Sequence, residues 1–272
     1  MLAMLRSIRQ DSGSDGELDA YLARDFGRFV RTLDLCRDQR GTCLEIGASP
    51  YFNSVLLREY GDPSLAVTRT NYFGPDNGAG VDYIAYASRR FPDLARHALP
   101  YDHFNIETDR CPYPDASFDM VLLCEVLEHL TCDPLPALRE IARVLKPGGR
   151  LVLTTPNVAS LRNMFQIFRG QNIHDRYSGY GAYGRHNREY TLPEVEQLLA
   201  HCGFVMDRAY TANVRPDRNR KASAAIARAL IRLFSRARAR TLGAYIFIAA
   251  TRQGDVKPGR PDWLFRSFTD QG

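Results

Sequence analysis

Two carboxylates and an imidazole in one short stretch are the residues best suited to chemistry. Glu125, Glu128 and His129 are spaced so that all three would share one face of a helix beginning at Glu125. Carboxylates and imidazoles are ligands that divalent metal ions favour. Three ligands would leave room for a fourth and for a substrate. The spacing therefore suits a metal site; the alternative is that the glutamates cap or pair and the histidine packs or orients a substrate, in which case a histidine alone could act as base.

The surrounding elements predict where these residues lie. Residues 118–124 form a continuous apolar run typical of a buried parallel strand, and the carboxylates follow it directly. Strands alternate with helices, so the sequence predicts an α/β, Rossmann-like, doubly wound sheet of seven strands, mostly parallel with an antiparallel C-terminal strand. Ligands of such sheets bind beyond the carboxyl ends of the strands. The predicted strands are 43–46, 64–68, 103–106, 118–124, 150–154, 204–210 and 243–250, and the predicted helices are 17–38, 54–59, 134–145 and 192–201.

The length and composition predict a single cytoplasmic domain. Of 272 residues, we assign 17–252 to the domain, 1–16 to a flexible N-terminus and 253–272 to a tail. No apolar run is long enough to span a bilayer, and the first residues lack the apolar part of a secretory signal. The six cysteines form no CxxC pair, which favours reduced thiols.

The positive charge is concentrated in one predicted helical insertion, residues 213–240. This segment holds nine Arg or Lys and one Asp, a charge of +8 in a chain of net charge +5. Its residues 222–240 predict a basic amphipathic helix, which can lie on an anionic membrane, bind nucleic-acid phosphates, or pack on the sheet with a solvated arginine face. No recognisable RNA-binding module is present, so nucleic acid is the less favoured partner.

The first predicted strand ends in Leu-Glu-Ile-Gly, and three later motifs place this turn in a family. A glycine there lets backbone approach a ligand, and Glu45 can accept hydrogen bonds from a cationic amine. Downstream, the ordered segments PYPDASFDMV (112–121), EVLEHL (125–130) and RVLKPGG (143–149) closely resemble the class I S-adenosylmethionine-dependent methyltransferases. The resemblance covers about residues 40–210. It implies that S-adenosylmethionine lies across the ends of the first strands.

The resemblance also implies which residues hold the cofactor. Two departures from the family pattern stand out: Gly47 is followed by Ala48 and Ser49 in place of further glycines, and Asn71 stands where the family has a ribose-binding acid. A non-catalytic, cofactor-binding partner protein therefore stays as an alternative. By position, Glu45 and Gly47 are expected at the methionine part, Asn71 at the ribose, and Asn105 and Glu107 at the adenine, with Cys124 completing the set.

A second resemblance bears on the metal. Three segments of the chain look like the small-RNA ribose 2′-O-methyltransferases: EVLEHL, TTPN at 154–157 and RHNREYT at 185–191. The ubiquinone-pathway O-methyltransferases share a similar first segment, EVLEHV. In the first of these families the ExxEH residues and a later histidine bind a divalent ion. The same first motif also occurs in methyltransferases that need no metal. The implied ligands of Mg²⁺, Mn²⁺ or Zn²⁺ are Glu125, Glu128, His129 and His186, with Glu128, His129 and His186 as catalytic residues.

The predicted acceptor is a small molecule or a glycan. Residues 169–191 form a predicted substrate loop in which tyrosines alternate with glycines, a pattern that suits sugar rings or a mobile lid. The chain also resembles bacterial methyltransferases associated with surface-polysaccharide synthesis. The sequence thus predicts O-methylation of a sugar hydroxyl on a glycan or glycolipid precursor, at the inner face of the membrane through residues 222–240. Ribose 2′-O-methylation of RNA is the alternative activity.

Overall fold

The fold is a mixed sheet with a hydrophobic core on each face. The computed structural model describes residues 1–11, 15–75, 78–88, 93–179, 181–214 and 241–266. The predicted basic helix at 213–240 falls almost wholly outside these residues. Within the described part, nine strands form one sheet in the order β1-β4-β5-β3-β2-β6-β7-β9-β8. The strands are β1 (Arg9–Gln10), β2 (Thr42–Ile46), β3 (Ala66–Asn71), β4 (Gly80–Tyr86), β5 (Ala95–His103), β6 (Phe118–Cys124), β7 (Leu145–Pro156), β8 (Phe204–Ala212) and β9 (Tyr245–Arg252).

The predicted doubly wound architecture is confirmed. Strands β5, β3, β2, β6 and β7 pair in parallel, and β9 lies antiparallel between β7 and β8. Alternate residues of β6 point to opposite faces: Val121 and Leu123 join one apolar cluster, whereas Met120 and Leu122 join another. All four are buried, which explains the continuous apolar run in the sequence.

The predicted count of seven strands and the third strand at 103–106 are wrong. Strand β5 ends at His103, and it pairs over seven residues with an antiparallel strand, β4, that the sequence analysis missed. The β4 segment alternates half-buried and exposed residues over its first four positions, and only Ile84 and Tyr86 are buried, so its pattern is weaker than that of a central strand. Strand β1 adds two residues beyond β4.

The helices match their predictions more closely. They are α1 (Leu2–Arg6), α2 (Asp15–Leu35), α3 (Phe52–Tyr60), α4 (Pro134–Val144), α5 (Leu161–Phe168) and α6 (Leu192–His201). The bounds of α6 are as predicted, because Thr191 and Glu194 form a capping box at its start. The expected flexible N-terminus instead contains α1, whose Leu5 is 1% exposed.

Candidate active site

The cofactor-side cavity lies where β2, β3 and β6 end. Gly47, directly after β2, has a φ of +67°, and an added Cβ would come within 2.7 Å of Val126 Cγ2. The Gly47 N–H donates to the Thr70 carbonyl at 2.9 Å, which fixes the turn against β3. A glycine is therefore required here both by the backbone conformation and by the close approach of the loop after β6. The lining residues include Gly47, Ser49, Asn71, Tyr72, Phe73, Phe104, Asn105, Glu125, Val126, His129 and Tyr183.

Asn71 and Asn105 line this cavity, but Asn71 is already engaged within the protein. Its Oδ1 accepts the Ser49 N–H at 2.9 Å, and its Nδ2 donates to the Tyr51 hydroxyl at 2.9 Å. Asn71, at the position where the family has a ribose-binding acid, thus holds the loop after β2 in place through these two hydrogen bonds. Asn105 Nδ2 donates to the Tyr183 hydroxyl at 2.7 Å, so a tyrosine of the predicted substrate loop reaches the adenine side.

Three other predicted cofactor residues are absent from the lining. Glu45 is 2% exposed and bonded to Ser54, and burial raises its pKa to about 7. Glu107 accepts the backbone N–H groups of Thr131 and Cys132, so it stabilises the loop before α4. Cys124 is 8% exposed, and burial raises the pKa of its thiol to about 12. These three side chains therefore lie outside the lining of the cavity.

The ExxEH segment does not form the predicted helix. Glu125 has a left-handed φ of +56°, and only a single 3₁₀ turn, Leu127–His129, follows it. Thr154 Oγ1 donates to Glu125 Oε1 at 2.9 Å, and the other carboxylate oxygen lies 3.7 Å from Arg28 Nε. The prediction that Glu125, Glu128 and His129 share one helical face is therefore wrong, because the chain reverses at Glu125.

The remaining three predicted metal ligands do come together. Glu128, His129 and His186 each offer an atom within 4.8 Å of the others. Glu128 is fully buried; one carboxylate oxygen accepts from Thr155 Oγ1 at 2.9 Å, and the other, Oε1, has no hydrogen-bond partner in the described structure. Burial and the nearby charge of Glu125 raise the pKa of Glu128. An unpartnered buried carboxylate oxygen beside two imidazoles is the arrangement that a cation would satisfy.

Both imidazoles are oriented by their Nδ1 atoms. His129 Nδ1 lies 3.0 Å from the Arg185 carbonyl, which only accepts, so His129 carries its proton there and turns Nε2 inward. His186 Nδ1 lies 2.9 Å from Glu189 Oε1. Burial opposes protonation of His186, but the Glu189 hydrogen bond and the charges of Glu128 and Glu189 outweigh it and raise its pKa to about 9. Such second partners orient histidine ligands in metal sites.

The loop carrying His186 is fastened to the ExxEH segment. The Asn187 N–H donates to the Glu128 carbonyl at 2.7 Å, and Asn187 Nδ2 donates to the His129 carbonyl at 2.9 Å. Three residues before His186, the Tyr183 hydroxyl lies 3.0 Å from Glu107 Oε2. One loop therefore reaches the first cavity through Tyr183 and places His186 beside Glu128 and His129.

A second, larger cleft adjoins the cofactor cavity, and Glu125 and His129 line both. Its walls are mostly polar, and they include side chains of α2 that the sequence analysis missed. Arg28 of α2 is 2% exposed and reaches Glu125, although the predicted helix at 17–38 gave this arginine no role. An arginine seven residues after the inward-facing Tyr21 was the available signal. The polar lining includes Tyr21, Arg24, Asp25, Glu128, Asn163, Gln166, Asn172, Asp175, His186 and Glu189.

Comparison with known proteins gives the family that part of this chain resembles. Residues 60–153 match the family described as "Methyltransferase domain". Over about half of its length the chain is similar to S-adenosylmethionine-dependent methyltransferases. Two described relatives are each called a probable S-adenosylmethionine-dependent methyltransferase. The Mycolicibacterium smegmatis protein is 31% identical over 49% of this chain and 51% of its own length, and the Mycobacterium tuberculosis protein is 38% identical over 48% and 47%.

The chain thus spans about half the length of the curated relatives it matches.

Solved structures agree on the fold of the methyltransferase domain. A chain from the complex between the Haloferax volcanii Trm112 methyltransferase activator and a methyltransferase gives a TM-score of 0.55 at 15% identity, covering 88% of this chain and 95% of that one. A SAM-dependent methyltransferase from Archaeoglobus fulgidus gives 0.51 at 15% identity, with the same coverage. S-adenosylmethionine is the cofactor that the names of these relatives specify.

Proposed function

We propose that this chain is an O-methyltransferase that transfers the methyl group of S-adenosylmethionine to a sugar hydroxyl of a glycan or glycolipid precursor. The observation that carries the proposal is the junction of the two cavities. The cofactor-side cavity and the polar cleft share Glu125 and His129, and the Glu128–His129–His186 cluster lies on the cleft side of that junction. A polar cleft suits a hydroxyl-rich acceptor.

A match over a short stretch of sequence supports oxygen as the acceptor atom. Over 42 residues, 15% of each chain, this protein is 57% identical to the 27-O-demethylrifamycin SV methyltransferase of Amycolatopsis mediterranei. That enzyme's name specifies methylation of an oxygen. We extend the oxygen chemistry, and not the acceptor, to this chain.

The three-residue cluster fits a divalent metal. Glu128 Oε1 is buried without a partner, and the Nδ1 atoms of both histidines are held by acceptors, so their Nε2 atoms are the groups available as ligands. We infer that Glu128, His129 and His186 hold Mg²⁺, Mn²⁺ or Zn²⁺. When bound, such an ion lowers the pKa of an acceptor hydroxyl.

The chain's own residues supply orientation and proton transfer. The hydroxyl must face the cofactor methyl across the junction, where Glu125 and His129 lie. Holding oxygen and methyl in contact at the correct angle provides most of the acceleration. In the ion-free protein His129, whose pKa burial lowers, is neutral at physiological pH and can accept the proton, whereas Glu189 keeps His186 protonated.

The location proposed for the enzyme is the cytoplasmic face of the membrane, peripheral to the bilayer. Across the residues that the structure describes, no helix is long and apolar enough to cross a bilayer. A lipid-linked glycan precursor would be met at this surface. The proposed partner is therefore the acceptor glycan, with membrane contact through residues 222–240 still a prediction from the sequence.

The test combines calorimetry, elemental analysis and an acceptor assay. S-adenosylmethionine is titrated into the protein before and after chelator treatment, and metal content is measured in Glu128→Gln and, as the matched control, Glu125→Gln. We expect the metal to be lost in Glu128→Gln and kept in Glu125→Gln, because Glu125 is bonded to Thr154 and faces Arg28. Loss of metal from both variants would mean that Glu125 is also a ligand, as in the four-residue set predicted from the sequence.

Methyl transfer is then measured with labelled cofactor on glycolipid precursors and, separately, on RNA. Labelled sugar ether that is stable to base supports the proposal. Transfer to RNA alone would overturn the acceptor class. Cofactor binding with no transfer to any hydroxyl acceptor would favour the non-catalytic partner protein.

A further inference from the structure

Helix α5 exposes an unusual concentration of apolar side chains. Its residues Met164 and Phe165 are each 36% exposed, Ile167 is 58% exposed and Phe168 is 89% exposed. These positions have the spacing i, i+1, i+3 and i+4, so they form one face, which we call the α5 face. Tyr177, in the following loop, is 92% exposed. Contiguous exposed apolar groups of this kind mark an interaction surface.

Cationic side chains flank the α5 face. Arg162 precedes the four apolar residues, Arg169 directly follows them, and Arg176 lies next to Tyr177; all three are exposed. Among the described residues, no ion pair engages these three arginines. Apolar side chains bordered by unpaired cations are complementary to a bilayer surface that carries anionic headgroups.

The α5 face borders the proposed acceptor cleft. Phe165 belongs to the face and also lines the cleft, together with Arg162 and Asn163 of the same helix. The cleft is lined mostly by polar groups, and Glu128 and His186 are among them. The surface therefore passes from polar to apolar over one helix, as an amphiphile with a hydrophilic head and a lipid tail requires.

We propose that the α5 face docks on an anionic membrane and that the acceptor is a lipid-linked glycan taken from that membrane. The proposal rests on the proposed function for the acceptor class, and it places the membrane contact on α5 instead of on residues 222–240. The glycan head enters the polar cleft, while the lipid remains in the bilayer against Ile167 and Phe168.

The experiment is co-sedimentation of the full chain with vesicles of phosphatidylcholine, with and without phosphatidylglycerol. The test variant is Ile167→Ser/Phe168→Ser, and the matched control is Leu94→Ser, because Leu94 has the same 58% exposure as Ile167 but lies beside β5. We expect the wild type and the control to bind anionic vesicles and the test variant to bind at least about tenfold more weakly. Titration with S-adenosylmethionine should give equal affinity for all three proteins.

Equal vesicle binding by the wild type and the test variant would overturn the proposal and assign the contact to another surface. Absence of vesicle binding by the wild type would also overturn it, as would a dimer in solution that the test variant dissociates, since a second copy would then cover the α5 face. Vesicle binding does not depend on turnover. If the protein does not methylate glycans, vesicle binding is still measurable, so the failure of the proposed function can be told apart from the failure of membrane docking.

Discussion

Replacing Arg28 with methionine tests whether α2 holds the ExxEH segment in place. The Arg28 side chain is 2% exposed, its Nε lies 3.7 Å from Glu125 Oε2, and its guanidinium lies 4.5 Å from the centre of the Phe29 ring. Removing one partner of a buried ion pair costs about 3–5 kcal/mol. Glu125 is 17% exposed and can take up a proton once its partner is gone, so we expect a loss of about 3 kcal/mol.

Urea unfolding at pH 7 measures this loss, and a second substitution identifies its cause. In Arg28→Met/Glu125→Gln no carboxylate is left unpaired, so at least half of the lost stability should return. Arg37→Met, just beyond the end of α2, is the control, because both members of its pair with Asp34 are exposed, at 72% and 39%, and the pair should be worth under about 1 kcal/mol. Additive losses in the double variant, or an Arg28→Met loss under about 1 kcal/mol, would refute the ion-pair account.

Three further predictions concern the two cavities. Gly47→Ala should abolish cofactor binding in calorimetry while a folded protein remains, since its Cβ would lie 2.7 Å from Val126 Cγ2; unchanged affinity would contradict the assigned cavity. Tyr183→Phe loses the hydroxyl bonded to Asn105, so cofactor affinity should fall about five- to tenfold, with metal content unchanged. Metal affinity should rise with pH up to about 9, where His186 loses its proton, by about tenfold per unit for each proton released; a flat profile in a metal-indicator titration would exclude His186 as a ligand.

The parts of the fold that were predictable are those whose burial leaves a clear pattern. Strand β6 is buried on both faces, and its bounds, Phe118–Cys124, are those predicted from the apolar run. The hairpin of β4 and β5 was missed because its burial alternates and its residues extend the sheet at one edge. Edge strands take their structure from pairing with a neighbour more than from their own pattern.

The cofactor side was predictable in position but not in side-chain use. Gly47, Asn71 and Asn105, which the resemblance assigned to the cofactor, line one cavity, and their contact with the cofactor stays a prediction. Glu107 instead turns toward the N–H groups of Thr131 and Cys132, which precede α4 and need acceptors. The sequence shows where an acidic residue stands, but the nearest unsatisfied donors decide where it points.

The geometry of the ExxEH segment could not be predicted from its spacing, because it depends on one backbone angle. The spacing of Glu125, Glu128 and His129 predicts one helical face only if every residue is right-handed, and Glu125 has a φ of +56°. A glutamate at this angle is strained, and strained backbone is found where the surrounding structure holds it in place. Here Thr154 and Arg28 hold the Glu125 carboxylate. The positive φ separates Glu125 from the two residues that meet His186, so this one strained residue divides the motif into a carboxylate between the two cavities and the group of Glu128, His129 and His186 that we propose as metal ligands.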